Sequence, residues 1–199
     1  FGIYLVTPSI IFVGLLVLFP IVYNIFLSFH FVSMYHPKNF SFVGLENYIS
    51  VLTSGVFWSA LKNASVYTFS SVILQLILGL ITALLLNKEF YGRDMVRGIV
   101  LFPYLVPTVC AVFMLKWMLE PNCGIISFFF NSVLGYSINW LGKPNTAMLS
   151  LIVLNTWKFF PFIEIALLAR LQNIPSTLYE AADIDGANSF QKFIRFFPP

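Results

Sequence analysis

ASVYTFSSVILQLILGLITALLL, residues 64–86, runs for 23 residues without a charged side chain. About 20 helical residues span a hydrocarbon core of roughly 30 Å, so a stretch of this length and composition reads as a membrane-crossing helix. Working outward, comparable apolar runs at about 2–29, 98–119 and 146–168 predict three more. The composition agrees, with 59% hydrophobic and 10% charged residues, against roughly 25% charged in an average soluble domain. An all-α polytopic membrane protein is the expected class.

Within 64–86, Ser71, Gln75, Gly79 and Ala83 recur every fourth residue and so share one helical face. Small residues in that spacing let helix backbones approach closely in lipid. Gln75 has two readings, as part of this packing seam or as a group lining a solute path. The first run ends in an aromatic belt of Tyr23, Phe26, Phe29, His30, Phe31 and Tyr35, as expected at a membrane–water interface. The third contains Pro103 and Pro107; each proline removes a backbone donor and clashes with the preceding turn, which predicts a bend. Residues 125–134 form an apolar middle to the next loop, expected as a re-entrant or interfacial helix.

Basic residues in short loops set the orientation. With the first run leaving the cytoplasm, Lys88, Arg93, Arg97, Arg170, Lys192 and Arg195 fall inside, against Lys38, Lys62 and Lys143 outside. That places the segment after Arg170 in the cytoplasm. Lys116 snorkels at the outer end of its run.

Several functions are excluded. The net charge of +3 is scattered along the chain, without the basic stripe of a nucleic-acid binder. Cys110 and Cys123 lack metal-site spacing, so neither a metal nor a disulfide is expected. There is no G-x-x-x-x-G-K-[ST] for nucleotide phosphates, and no nucleophile–base pair can be assembled. The chain is expected to be no enzyme and to carry no cofactor. It opens on Phe1, not Met, and the run to Phe29 is too long for a signal peptide. A trimmed or omitted start is expected.

The most informative polar stretch is IPSTLYEAADIDGANSFQKF, residues 174–193. Thr177 and Glu180 have capping-box spacing, Ala181 and Ala182 leave a low-profile surface, and Asp185-Gly186 can turn the chain before Ser189 starts a second helix. From periodicity alone this could equally be a solvated amphipathic tail.

LYEAADIDGA, residues 178–187, is very similar to the EAA loop of ABC importer permeases. Further segments resemble the sugar branch of that family, the maltose, glycerol-phosphate and multiple-sugar type, in order. They are FVGLENY (42–48), the Pro103 and Pro107 pair, Trp117 to Pro121 leading into Cys123-Gly124, Trp157 with Pro161-Phe162, and Ile174-Pro175. The resemblance implies a type I permease fold with about four of six membrane helices present and two further spans to follow. It implies a bacterial or archaeal inner-membrane subunit that translocates a sugar, oligosaccharide or polyol-type solute. The implied partners are a second permease subunit, identical or not, a cytoplasmic ATPase dimer and an extracytoplasmic solute-binding protein. The EAA coupling loop would occupy 174–199, with Glu180, Ala181, Ala182, Asp183 and Gly186 docking on the ATPase. Phe196 to Pro199 depart from the family's usual ending.

The resemblance also points to Lys158, Phe159 and Phe162 as lining the solute path. A charge in mid-span costs at least about 2.5–3.5 kcal/mol on insertion scales, so Lys158 is expected to face either solute or another helix. Glu164 is six residues on and on a different face, which argues against an intrahelical pair. The alternative reading is a secondary transporter or channel, which would share the spans and the bend without needing an EAA loop.

Overall fold

The computed structural model describes residues 2–32, 40–136, 138–175, 177–178, 184, 186, 188 and 191. It divides into two compact units, Phe1–Ala64 and Ser65–Pro199.

The first unit opens with α1 (Gly2–Val13), a π-helical turn (Gly14–Leu18) and α2 (Phe19–Ser28). Pro20 cannot donate to the carbonyl four residues back, and the wider turn lies just before it. Strands β1 (His30–Val32) and β2 (Phe40–Phe42) pair antiparallel with His30 opposite Phe42, and α3 (Glu46–Thr53) follows. The FVGLENY segment is a clasp on the end of α2. Gly44 takes φ +57° to make the turn, which a glycine adopts without steric penalty. Asn47 Nδ2 donates to the carbonyls of Ser28 and His30 at 2.9 and 3.1 Å. The Tyr48 hydroxyl meets Ser28 Oγ at 2.6 Å while its ring packs on Phe29.

Helix α4 (Gly55–Asn87) begins upstream of the start near 64 that the apolar run alone predicts. Trp58 and Lys62 interrupt hydropathy but are compatible with a helix, so the helix outruns its lipid-matched part. In the second unit α4 is followed by α5 (Arg93–Leu105), α6 (Thr108–Met118), α7 (Ile125–Leu134) and α8 (Pro144–Gln172). Val6–Ser28, α4 and α8 are each long and apolar enough to cross a membrane. Helices α5 and α6 meet at 91° and together could supply a fourth crossing.

Of the two prolines, only Pro107 breaks the helix. Pro103 is buried within α5. Pro107 forces Val106 out of the α region, to φ −65° and ψ 129°, so α5 stops and α6 starts afresh.

Helix α5 packs most extensively against α8, and a small core of Ala83, Leu86, Leu168 and Leu171 joins α4 to α8 beneath Val100. The four-residue stripe of α4 supplies the seam: Ser71, Gly79 and Ala83 are buried and Gln75 is half-buried. A β-carbon on Gly79 would stand 2.8 Å from Ile163 Cγ2 and 3.1 Å from the Glu164 nitrogen. Arg93 Nε donates to the Leu86 carbonyl at 2.6 Å, satisfying an acceptor left open at the end of α4.

After α6 the chain makes a compact turn. Glu120 accepts from the backbone nitrogens of Asn122 and Cys123 at 2.7 and 2.9 Å and from Cys123 Sγ. A side chain at Gly124 would collide with the Met118 and Glu120 carbonyls at 2.5 Å. These contacts give the Trp117 to Gly124 segment a structural purpose. The Cys123 and Asn122 backbone bonds hold the Glu120 carboxyl below its usual range, and the same carboxylate pushes the Cys123 thiol up.

Two outcomes follow from this packing. Gly79→Val should separate α4 from α8 and lower stability in detergent by about 1–3 kcal/mol, read as a lower unfolding midpoint. In a Cys110→Ser background, Glu120→Gln should lower the Cys123 pKa and speed its alkylation near pH 8 by up to about tenfold. The bonds of Glu120 stabilise the turn only while it is ionised, so that contribution fades as pH falls through its lowered pKa.

Candidate functional site

Helix α8 is one unbroken rod despite Pro161, and it carries the polar groups of the membrane interior. Lys158 is 6% exposed. Its ammonium donates to the Val106 carbonyl at the α5–α6 break and lies 5.5 Å from the centroid of the Phe159 ring. An ammonium in this setting needs acceptors, and a helix end in lipid needs donors. The break and the lysine meet both needs.

Around this contact lies an aromatic group. The Tyr104 ring of α5 stacks with Phe162 at 6.0 Å and meets Phe159 edge-on at 6.4 Å. All three rings retain exposed surface, with Phe162 56% exposed. On the α4 side, Gln75 Nε2 donates to Asn155 Oδ1 at 2.6 Å, and Asn155 Nδ2 donates to the Tyr67 hydroxyl at 2.6 Å. Asn155, Lys158 and Phe162 are spaced three and four apart, so they fall along one side of α8. The resulting wall combines three hydrogen-bonding side chains, one cation and three rings.

Lys158, Phe159, Phe162 and Gln75 are thus gathered along α8. Lys158 faces another helix through a backbone carbonyl, and Gln75 clamps α4 to α8 instead of standing free. Tyr67, Tyr104 and Asn155 were not singled out from sequence. Asn155 was legible as a polar residue one turn before Lys158; Tyr104 joins the group through the packing of α5 on α8.

The second candidate region is the polar segment after α8. Glu180, Ala181, Ala182 and Asp183 lie outside the described residues, as does Ser189. Gly186 has φ +73°, a backbone conformation that favours glycine. Asn188 and Gln191 cap each other reciprocally, each side-chain oxygen accepting the other's backbone N–H at 2.9 and 2.8 Å. This is capping-box geometry, begun by Asn188 where the sequence pointed to Ser189. His30 bonds the Phe26 carbonyl through Nδ1 at 2.8 Å and packs on Phe26 and Phe42, in keeping with a belt residue. Among the described residues, no cluster of metal-ligating side chains forms.

Residues 75–198 match the family described as binding-protein-dependent transport system inner membrane component. The trehalose/maltose transport system permease protein MalF of Thermococcus litoralis is 38% identical over 193 residues, covering 96% of this chain and 65% of that protein. The inner membrane ABC transporter permease protein YcjO of Escherichia coli is 34% identical, covering 97% of this chain and 67% of that protein. A sulfoquinovosyl glycerol transport system permease protein, SmoG of Agrobacterium fabrum, is 30% identical over 98% of this chain and 63% of its own length. The chain therefore spans about two thirds of the length of these relatives. In fold it is similar to a chain of a bacterial alginate ABC transporter crystallised with an alginate pentasaccharide-bound periplasmic protein. There the TM-score is 0.78 at 23% identity, covering 98% of this chain and 64% of that one.

Lys158→Met should leave the Val106 carbonyl without its donor, a loss of about 1–3 kcal/mol at that contact. Spin labels at Leu105 and Val109, either side of the break, should then show a broadened distance distribution; an unchanged one would mean that Pro107 alone fixes the angle.

Proposed function

Because this chain belongs to the binding-protein-dependent transport system inner membrane components, we propose that it is the membrane-spanning permease subunit of an ATP-driven importer for sugar, oligosaccharide or polyol-type solutes. The observation that carries the solute class is the wall formed by Tyr104, Phe159 and Phe162 beside Asn155, Gln75 and Lys158. Ring faces stack on the apolar faces of sugars, and amides and hydroxyls exchange hydrogen bonds with their hydroxyl groups. Trehalose, maltose and sulfoquinovosyl glycerol, for which two of the relatives are named as transport permeases, lie in the same chemical class.

In this proposal the chain performs no bond chemistry; ATP is hydrolysed by a separate cytoplasmic ATPase dimer. Four crossings, near 2–29, 64–86, 98–119 and 146–168, place residues 174–199 in the cytoplasm. There Glu180, Ala181, Ala182 and Asp183 dock on the ATPase. The alanines permit close contact, the carboxylates meet basic groups on the partner, and Gly186 sets the direction of the chain after them. A second permease subunit completes the pathway, and an extracytoplasmic binding protein delivers the solute. Closure of the ATPase dimer would move α8 through the segment attached to its end, exposing the wall to alternate sides of the membrane.

The test is uptake into proteoliposomes holding the full-length protein with its ATPase, its companion permease and its binding protein. The sugar panel is chosen by thermal shift of the binding protein. Glu180→Lys or Gly186→Asp should reduce ATP-dependent uptake at least tenfold with membrane insertion unchanged. Phe162→Ala should reduce it several-fold while ATPase association stays intact. Normal uptake in both loop variants would remove the coupling role of 174–199, and normal uptake in Phe162→Ala would remove the aromatic wall from the path.

A further inference from the structure

Glu164 lies about 1.7 turns beyond Lys158 on α8 and has no role in the wall described above. It is 2% exposed, and its Oε1 atom has no hydrogen-bond partner among the described residues. It borders a cleft of about 210 Å³ between α5 and α8, lined also by Arg97, Leu101, Leu168 and Gln172. A buried carboxylate without a hydrogen-bonded partner is costly, because desolvation is offset only where a charge pairs with it directly.

A partner of opposite charge borders the same cleft. Arg97 has a buried Nε without a hydrogen-bond partner among the described residues. Its guanidinium touches Asp94 at 3.6 Å, on a carboxylate side chain 95% exposed. An exposed pair of this kind contributes little. With the Gln172 amide oriented to suit its neighbours, its oxygen accepts from Arg97 Nη2 at 2.6 Å and from Arg93 Nη2 at 2.9 Å. Arg93 is fixed in turn on the Leu86 carbonyl. Arg97 thus holds a neutral acceptor at the end of α8, while the buried Glu164 Oε1 on the same helix has no hydrogen-bond donor among the described residues.

Glu164, Leu168 and Gln172 are spaced four apart and form one stripe facing α5, with Glu164 about 12 Å further along the helix than Gln172. Helices that slide past one another settle in discrete steps of about one turn, 5.4 Å, because packed side chains interlock. A long arginine side chain between two acceptors on one stripe is suited to such a step.

We propose that Arg97 and Glu164 form a two-position latch: Arg97 holds Gln172 in the arrangement seen here and exchanges it for Glu164 when α8 slides along α5. The exchange gives Glu164 a buried ion pair that it lacks in the arrangement seen here and leaves Gln172 with Arg93, so the second position keeps its polar groups satisfied. Arg97 and Glu164 act here as positioning residues, since neither touches the wall of rings. The latch presupposes the transport cycle proposed above, because ATPase closure is what would drive the slide.

The test uses the full-length permease in its complete complex. Arg97→Glu and Glu164→Arg, made singly, should each reduce ATP-driven uptake at least tenfold while the ATPase remains associated. The double variant Arg97→Glu/Glu164→Arg should recover to within about threefold of wild type. A double variant no better than either single one, or full uptake by Glu164→Gln, would overturn the latch. If the charge variants do not assemble, spin labels at Met95 and Ala166, exposed on α5 and α8, decide the matter. Their separation should change by about 5 Å or more between nucleotide-free and nucleotide-trapped complexes, and an unchanged separation would rule out the slide. Wild-type protein with no ATP-driven uptake of any panel solute would instead contradict the permease reading, and the latch with it.

Discussion

The contact on which the second unit turns is the Lys158 ammonium on the Val106 carbonyl. Pro107 ends α5 inside an apolar setting, and the last carbonyls of a helix have no partners of their own. In lipid no water supplies them, and each unsatisfied group costs several kcal/mol. A lysine in mid-span has the converse problem. Joined, the two permit a sharp corner between α5 and α6 and tie that corner to the longest apolar helix of the C-terminal half.

The other contacts of the unit are arranged around this joint. Gly79 lets α4 lie against α8 at Ile163 and Glu164, while the Asn155 amide, one turn from Lys158, binds Gln75 and Tyr67 from α4. Along the same side α5 lays Tyr104 over Phe159 and Phe162. Helix α8 is therefore held by two helices, α4 and α5, in its middle and through Arg93, Arg97 and Gln172 at its end. In the permease role proposed above, a helix fixed in this way would carry a displacement of its C-terminal end to its middle.

Much of this was legible in the sequence. The apolar runs, the four-residue seam containing Gly79 and the interruption by two prolines are local signals, and local physics produces them. Which proline breaks the helix was not legible, because Pro103 and Pro107 present the same steric problem and only tertiary contacts decide between them. The lysine's partner was hidden for a related reason: it is a backbone carbonyl, which has no signature in a side-chain pattern. Tyr104 and Asn155 were missed because a ring or an amide gains its role from what faces it across a helix pair. The FVGLENY and Trp117 to Gly124 segments, first noticed as family resemblance, acquired physical reasons only when Asn47 was found on two carbonyls and Glu120 on two amides.

In the proposed permease, the face of α8 bearing Phe162 borders the solute path. The most direct measurement replaces Phe162 with cysteine in the full-length protein, with Cys110 and Cys123 changed to serine, and follows its labelling by a membrane-impermeant thiol reagent in the assembled complex. Labelling from one side of the membrane should give way to labelling from the other when nucleotide is trapped, and should slow when a transported sugar is present. A cysteine at that position that no aqueous reagent reaches in either state, or one whose labelling ignores the sugar, would contradict it.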